Sequence, residues 1–184
     1  GIRDSSVTGV QTCALPIYIG NALRTLGRFG DALDSYDVAL AINPSYAEAY
    51  NNRGVVLRRL GRSAEALDSY ERALAIKPAY AEAHNNRATV LREDLKKNAE
   101  ALAAAERALA LDPKDADAHL NRAHALAALK RYPEAIAGYR SALDAGGNRE
   151  LLSYYLSALG AEARSWMRMG DPMKAHRSRN PFMR

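Results

Sequence analysis

The chain has 184 residues, 48% hydrophobic and 26% charged, a balance that suits one water-facing domain with a buried core. Its formal charge of +5 arises at one end: residues 1–163 carry 20 Lys and Arg against 20 Asp and Glu, whereas residues 164–184 carry six basic residues against Asp171 alone. The body is therefore no basic nucleic-acid platform, no apolar run reaches the length of a membrane span and no secretory leader opens the chain, so a cytoplasmic protein is expected without membrane or nucleic-acid partners.

Residues 1–17 stand apart from the rest of the chain. Thr8-Gly9 and Leu15-Pro16 are expected to interrupt any helix, and Pro16 lies where the later pattern has an aromatic ring. The string resembles the in-frame translation of a short-read sequencing adapter, Gly1–Asp4 and Val7–Ile17 flanking an index at Ser5-Ser6. On that reading Gly1–Thr12 lacks a packing partner, and Cys13 carries no redox or catalytic information. The native sequence then resumes near Tyr18, inside the truncated first copy of a repeat, in a fragment of bacterial type.

From Tyr18 onward the chain repeats itself. A shift of 34 residues aligns Gly20 with Gly54, Ala32 with Ala66, Tyr36 with Tyr70, Ala39 with Ala73 and Pro44 with Pro78. A third copy supplies Ala101, Ala105, Ala108 and Pro113 after a one-residue slip within residues 92–99, and a fourth supplies Ala135, Tyr139 and Ala142. The copies occupy 18–46, 47–80, 81–115 and 116–149. Each reads as two helices: apolar positions recur at helical spacing, Gly61 interrupts copy two midway, and Pro78 ends it. Helix pairs are predicted at 18–43, 47–77, 81–112 and 116–146, with no strand in 47–146. Residues 150–160, with Leu151, Leu152, Tyr155 and Leu159 on one side, read as a capping helix that ends at Gly160. Residues 161–184 read as a basic, disordered tail.

Catalytic chemistry is thin. His84 and His119 sit where copy two has Tyr50 and read as packing substitutes. Zinc-protease, nucleophile-elbow and phosphate-loop motifs are missing, Gly146-Gly147 reads as a helix end, and Glu93-Asp94 as part of a solvated turn. Neither an enzyme nor a cofactor is expected.

The recurring small–Tyr–small–Pro spacing resembles the tetratricopeptide repeat, with Arg53, Arg87 and Arg122 where that pattern has leucine. The resemblance implies an all-α, right-handed solenoid of antiparallel helix pairs whose first helices line a concave groove. It also implies a protein–protein interaction scaffold that binds an extended protein or peptide partner there. The implied groove residues are Asn52, Asn86 and Asn121, with Glu48, Glu82, Asn51, Asn85, Arg58 and Arg92. Further positions on that face are Asp117, Leu120, Val55, Thr89, His124, Ala127 and Arg59. Asn52, Asn86 and Asn121 match the one-asparagine-per-repeat ladder of O-linked N-acetylglucosamine transferase arrays, and are expected to face solvent. Asn21 and Asn52 match two positions of a two-carboxylate clamp, but its lysines are missing. The alternative implied role is the substrate-docking arm of a larger glycosyltransferase or methyltransferase. Residues 150–160 weakly resemble the repeat-to-catalytic-domain junction of the methyltransferase fusions.

Overall fold

A computed structural model describes the backbone of residues 5–168 and the side chains of residues 14–160. Among these residues every regular element is an α-helix. The expected lack of packing partners for Gly1–Thr12, and the side chain of Cys13, lie outside the described side chains.

One unit covers residues 1–113 and holds three helix pairs. They are α1 (Ser5–Thr25) with α2 (Phe29–Ile42), α3 (Ala47–Arg59) with α4 (Ser63–Ile76), and α5 (Ala81–Glu93) with α6 (Asn98–Leu111). The second helix of each pair packs on the first helix of the next, α2 on α3 and α4 on α5. A second unit, residues 114–184, holds α7 (Ala116–Ala128) paired with α8 (Tyr132–Asp144), and α9 (Arg149–Arg168) packed on α8.

Small residues set how closely each pair approaches. Ala32, Ala39, Ala66, Ala73, Ala108, Ala135 and Ala142 are fully buried on the second helices. Opposite them, first-helix glycines make room for tyrosine rings: a Cβ added at Gly54 would stand 2.6 Å from Tyr70 Cε1, and one at Gly20 2.7 Å from Tyr36 Cε1. In copy three the glycine becomes Ala88 and the tyrosine becomes Ala105, so the volume is exchanged across the same contact. Copy four keeps Tyr139 beside Ala123, and there the facing residue on α8 is Gly138, whose added Cβ would stand 3.0 Å from that of Ala123.

The punctuation obeys local chemistry. Asn43, Lys77 and Asp112, each before a proline, are pushed to extended backbone and end α2, α4 and α6. In α8 that proline is replaced by Gly147, and left-handed Gly146 (φ 91°) closes the helix through bonds from Gly146 N to Leu143 O and Gly147 N to Ala142 O. Between the helices of a pair the left-handed residue is Gly27, Gly61, Lys96 or Lys130. The slip in copy three is an added residue at this turn: α5 ends at Glu93 and α6 begins at Asn98, where α3 ends at Arg59 and α4 begins at Ser63.

Lys130 occupies the left-handed region at φ 62° with the same pair of closing bonds that Gly61 makes. A side chain there costs about 1–2 kcal/mol, part of which glycine's extra unfolded-state freedom takes back. Lys130→Gly is therefore expected to stabilise by up to about 1 kcal/mol, a rise of about 2–4 °C in Tm. Thermal unfolding checks it; a lower Tm than wild type contradicts the left-handed turn.

Two sequence expectations are corrected. Helix α1 runs unbroken from Ser5 through Gly9 and Pro16, and copy one forms a pair like the others. A proline inside a helix removes one backbone bond and need not end it when packing holds the flanks. Ile17, grouped by sequence with the aberrant leader, is buried against Ala39, Leu40 and Ala49. At the other end α9 continues through Gly160 to Arg168, so residues 161–168 are helix rather than tail. One glycine costs only about 1 kcal/mol in a helix, and Ala161, Glu162, Ala163 and Arg164 are good helix formers. On α9, Leu152 and Leu159 are buried while Leu151 is exposed, so the expected four-residue stripe is narrower. Residues 169–184 lie outside the described residues.

Candidate peptide-binding face

In the first unit the neighbouring first helices α1, α3 and α5 carry the polar positions singled out by sequence. They are already bonded from repeat to repeat. Asn51 is fully buried, donates from Nδ2 to Glu82 Oε1 at 3.0 Å and accepts at Oδ1 from Asn86 Nδ2 at 3.0 Å. Asn52 Nδ2 donates to Asn21 Oδ1 at 3.1 Å, and the Tyr36 hydroxyl donates to the same oxygen at 2.7 Å. Ile17 stands in copy one where copy two has Asn51, so Asn52 reaches Asn21 where Asn86 reaches Asn51.

The expectation that Asn52, Asn86 and Asn121 face solvent is corrected accordingly. Asn52 and Asn86 are half-buried, and Asn121, in the second unit, is buried. Burying a side-chain amide is costly without partners, and the partners in the first unit are other groups of the same face. Asn52 and Asn86 each spend one N–H in this way. Among the described residues their Oδ1 atoms accept no hydrogen bond. Asn85 is half-buried beside them, and Glu48 and Glu82 are exposed along the edge.

The charged positions are joined too. Arg58 pairs with Glu93 through Nη2 and with Asp94 through Nε at 3.2 Å, and Arg92 pairs with Glu93 at 2.6 Å. Ser63 Oγ donates to Asp94 Oδ2 at 3.0 Å. Glu93, at the end of α5, and Asp94, in the exposed turn that follows, thus also tie copy three to copy two. Those acids sit where the extra residue lengthens the α5–α6 connection.

Two ties were missed in the sequence. Arg53 reaches back to Asp37 at 2.7 Å and to Ser69 Oγ at 2.8 Å, and Arg87 reaches back to Glu71 at 3.3 Å. This is why arginine replaces leucine there; the recurrence of an acid at Asp37 and Glu71, one period apart, was the available signal. At the start of each second helix a basic residue pairs with an acid three positions on, Arg28–Asp31, Arg62–Glu65, Lys97–Glu100 and Arg131–Glu134. The acid stands in the first turn, where the helix dipole favours it. The arginines hold Glu65 and Glu134 below the usual carboxylate range.

His84 and His124 have partners within the fold. His84 Nε2 lies 2.9 Å from Pro78 O, and burial lowers its basicity. In the second unit the Tyr139 hydroxyl lies 2.8 Å from His124 Nδ1, and Tyr155 of α9 meets His124 edge-on at 4.5 Å while stacking on Tyr139 at 5.5 Å. Asp115 caps α7, accepting from Asp117 N and Ala118 N. Among the described residues no group of His, Cys, Asp and Glu is placed to hold a metal, and no helix is long and apolar enough to cross a membrane.

A tetratricopeptide-repeat family model matches residues 19–81 and 90–150. No curated protein matches the chain. Among solved structures it is similar to MamA 41-end from Desulfovibrio magneticus RS-1 (20% identity, TM-score 0.76, covering 83% of this chain and 85% of that one). It is also similar to YrrB, described as a TPR protein with an unusual peptide-binding site (26%, TM-score 0.69, 81% and 76%). A third is the first TPR of Spaghetti (RPAP3), bound to the HSP90 peptide SRMEEVD (26%, TM-score 0.64, 65% and 94%).

Proposed function

The chain belongs to the tetratricopeptide-repeat family, a protein–protein interaction class, and from that premise we propose that the α3–α5 face of its first unit holds an extended segment of a partner protein. The observation that supports this is the pair of half-buried amides, Asn52 and Asn86, one per repeat, each anchored through one N–H and each with a spare acceptor oxygen and a second N–H. An amide offers a donor and an acceptor together, so it pairs with both polar groups of a peptide unit without reading its side chain. Anchoring fixes each amide beforehand and lowers the ordering cost of binding. The likeness to two peptide-binding repeat proteins points the same way. Asn121, in the second unit, occupies the same place in its repeat and is assigned the same role there. Glu48 and Glu82 add charge preference at the edge beside Asn85, while Asn51 serves to orient the amide of Asn86.

The test uses a peptide selected on the full chain from a random library. Asn52→Ala with Asn86→Ala is expected to weaken it about tenfold, from two bonds worth about 0.5–1.5 kcal/mol each. The pair of changes also lowers stability by about 1–3 kcal/mol, because Asn51 Oδ1 loses its donor. Arg53→Met, which breaks the tie to Asp37 away from these amides, is the control for stability loss. Equal loss of binding in both variants contradicts the proposal.

A further inference from the structure

Each first helix turns one side to the second helix that precedes it. On α3 that side holds Ala49, Arg53 and Val56: Ala49 is buried with Ala39 and Leu40 of α2, Val56 with Leu33 of α2, and Arg53 pairs with Asp37 of α2. On α5 the same places hold Ala83, Arg87 and Val90, with Arg87 paired to Glu71 of α4. One period earlier, on α1, they are Leu15, Ile19 and Ala22, and these stay exposed. Leu15 is 63%, Tyr18 70%, Ile19 46% and Leu26 73% exposed, with Ala22 exposed between them. Their spacing puts all five on one stripe of the helix.

A repeat array that ends in water carries a polar outer face, and the α1 stripe departs from the later copies in the opposite direction. Tyr18 stands where they have Asn52 and Asn86, and Ile19 where they have Arg53 and Arg87. A second helix like α2 or α4 would set its acid, as Asp37 and Glu71 do, against Ile19 with no arginine to meet it. The stripe thus suits an apolar surface. It is also free of charge: Ser5–Thr25 holds one charged residue, Arg24, which stands beside the Tyr36 hydroxyl. An uncharged apolar stripe meets its own copy across a two-fold axis with no like-charge repulsion. The four large side chains expose on the order of 500 Å² per copy, or about 1,000 Å² for a pair, which reaches the lower limit of a specific interface.

We propose that the stripe of Leu15, Tyr18, Ile19, Ala22 and Leu26 is a dimer interface, covered by the same stripe of a second copy of this chain. The assignment is independent of the α3–α5 reading. Because each copy offers the same surface, the contact is self-complementary and closes at two copies. Pairing of α1 with the exposed Leu151 and Tyr154 of another copy's α9 would instead join unlike surfaces and keep adding copies.

The experiment is sedimentation velocity of the full chain from about 1 to 300 μM, a range chosen for an interface at the small end of the scale. A monomer at the lowest concentration is expected to pass to a dimer, with a Kd of about 10–100 μM, and to go no further. Tyr18→Asn with Ile19→Arg gives α1 the residues that α3 and α5 carry. This variant is expected to dimerise at least about tenfold more weakly. Its helix content and its Tm at low concentration should match wild type, because both side chains are exposed. Leu26→Gln, just beyond the last turn of α1, should weaken the dimer at least about threefold. Leu151→Ser with Tyr154→Ser, the corresponding change on α9, should leave it intact. A wild-type chain that stays monomeric overturns the proposal. So does a dimer that the Tyr18 and Ile19 changes or Leu26→Gln leave at full strength, one that the α9 changes abolish, or assembly beyond two copies.

Discussion

Gly54→Ala is expected to cost the fold about 2–3 kcal/mol, a fall of about 4–12 °C in Tm, although it adds one methyl group. The new Cβ would stand 2.6 Å from Cε1, 2.8 Å from Cζ and 2.9 Å from Cδ1 of Tyr70. That ring is 1% exposed and packed with Leu57, Ala66 and Val90, so it has nowhere to withdraw. Tyr70→Ala alone should cost about 3–5 kcal/mol by leaving a cavity. Copy three shows how the two changes combine, since Ala88 and Ala105 stand there together, both fully buried. The double variant is therefore expected to fall short of the sum by about 1 kcal/mol or more. Denaturant unfolding of the four proteins checks it, and strict additivity would show that the glycine is not set by the ring.

Removing α9 should have the largest effect on the second unit. Leu152 is 1% and Leu159 8% exposed, and Tyr155 lies against both Tyr139 and His124. Burying two leucines contributes about 3–6 kcal/mol, and the aromatic contacts about 1 kcal/mol more. A chain ended at Asn148 bares Tyr139, Ala142 and Leu143 on α8. It is expected to lose cooperative unfolding of α7–α8 or to self-associate, as a repeat array does when its last apolar face is uncovered. Leu152→Ala is the milder form, costing about 2–5 kcal/mol. Unfolding curves and sedimentation report both; an unchanged midpoint and a monomer would show that α9 does not serve as a cap.

What the sequence discloses here and what it hides have separate physical causes. The repeat, the helix pairs and the added residue in copy three are legible because Ala32, Ala66, Ala101 and Ala135 obey a steric rule that allows little substitution. Propensity at Gly9, Pro16 and Gly160 points to breaks, yet α1 runs through the first two and α9 through the third. Packing of Ile17 beside Pro16 and of Leu159 beside Gly160 holds the helix on the near side of each breaker. The candidate site was half legible. Residue types and positions could be taken from the period, but Asn51 and Asn52 look alike in sequence and differ in the structure. One is fully buried between Asn86 and Glu82, and the other is half-buried and tied to Asn21. Partner choice among long polar side chains depends on neighbours a whole repeat away, as in the reach of Arg58 to Glu93, and no local pattern encodes it.

The central claim is that the α3–α5 face of the first unit grips polypeptide. The most direct measurement is the backbone NMR spectrum of the full chain titrated with a peptide selected on it from a random library. The expected result is a saturable perturbation centred on Asn52, Val55, Asn86 and Thr89 that spares Asp68 and Arg72 on α4. Perturbation centred on Asp68 and Arg72, or a library that yields no binding peptide, would contradict it.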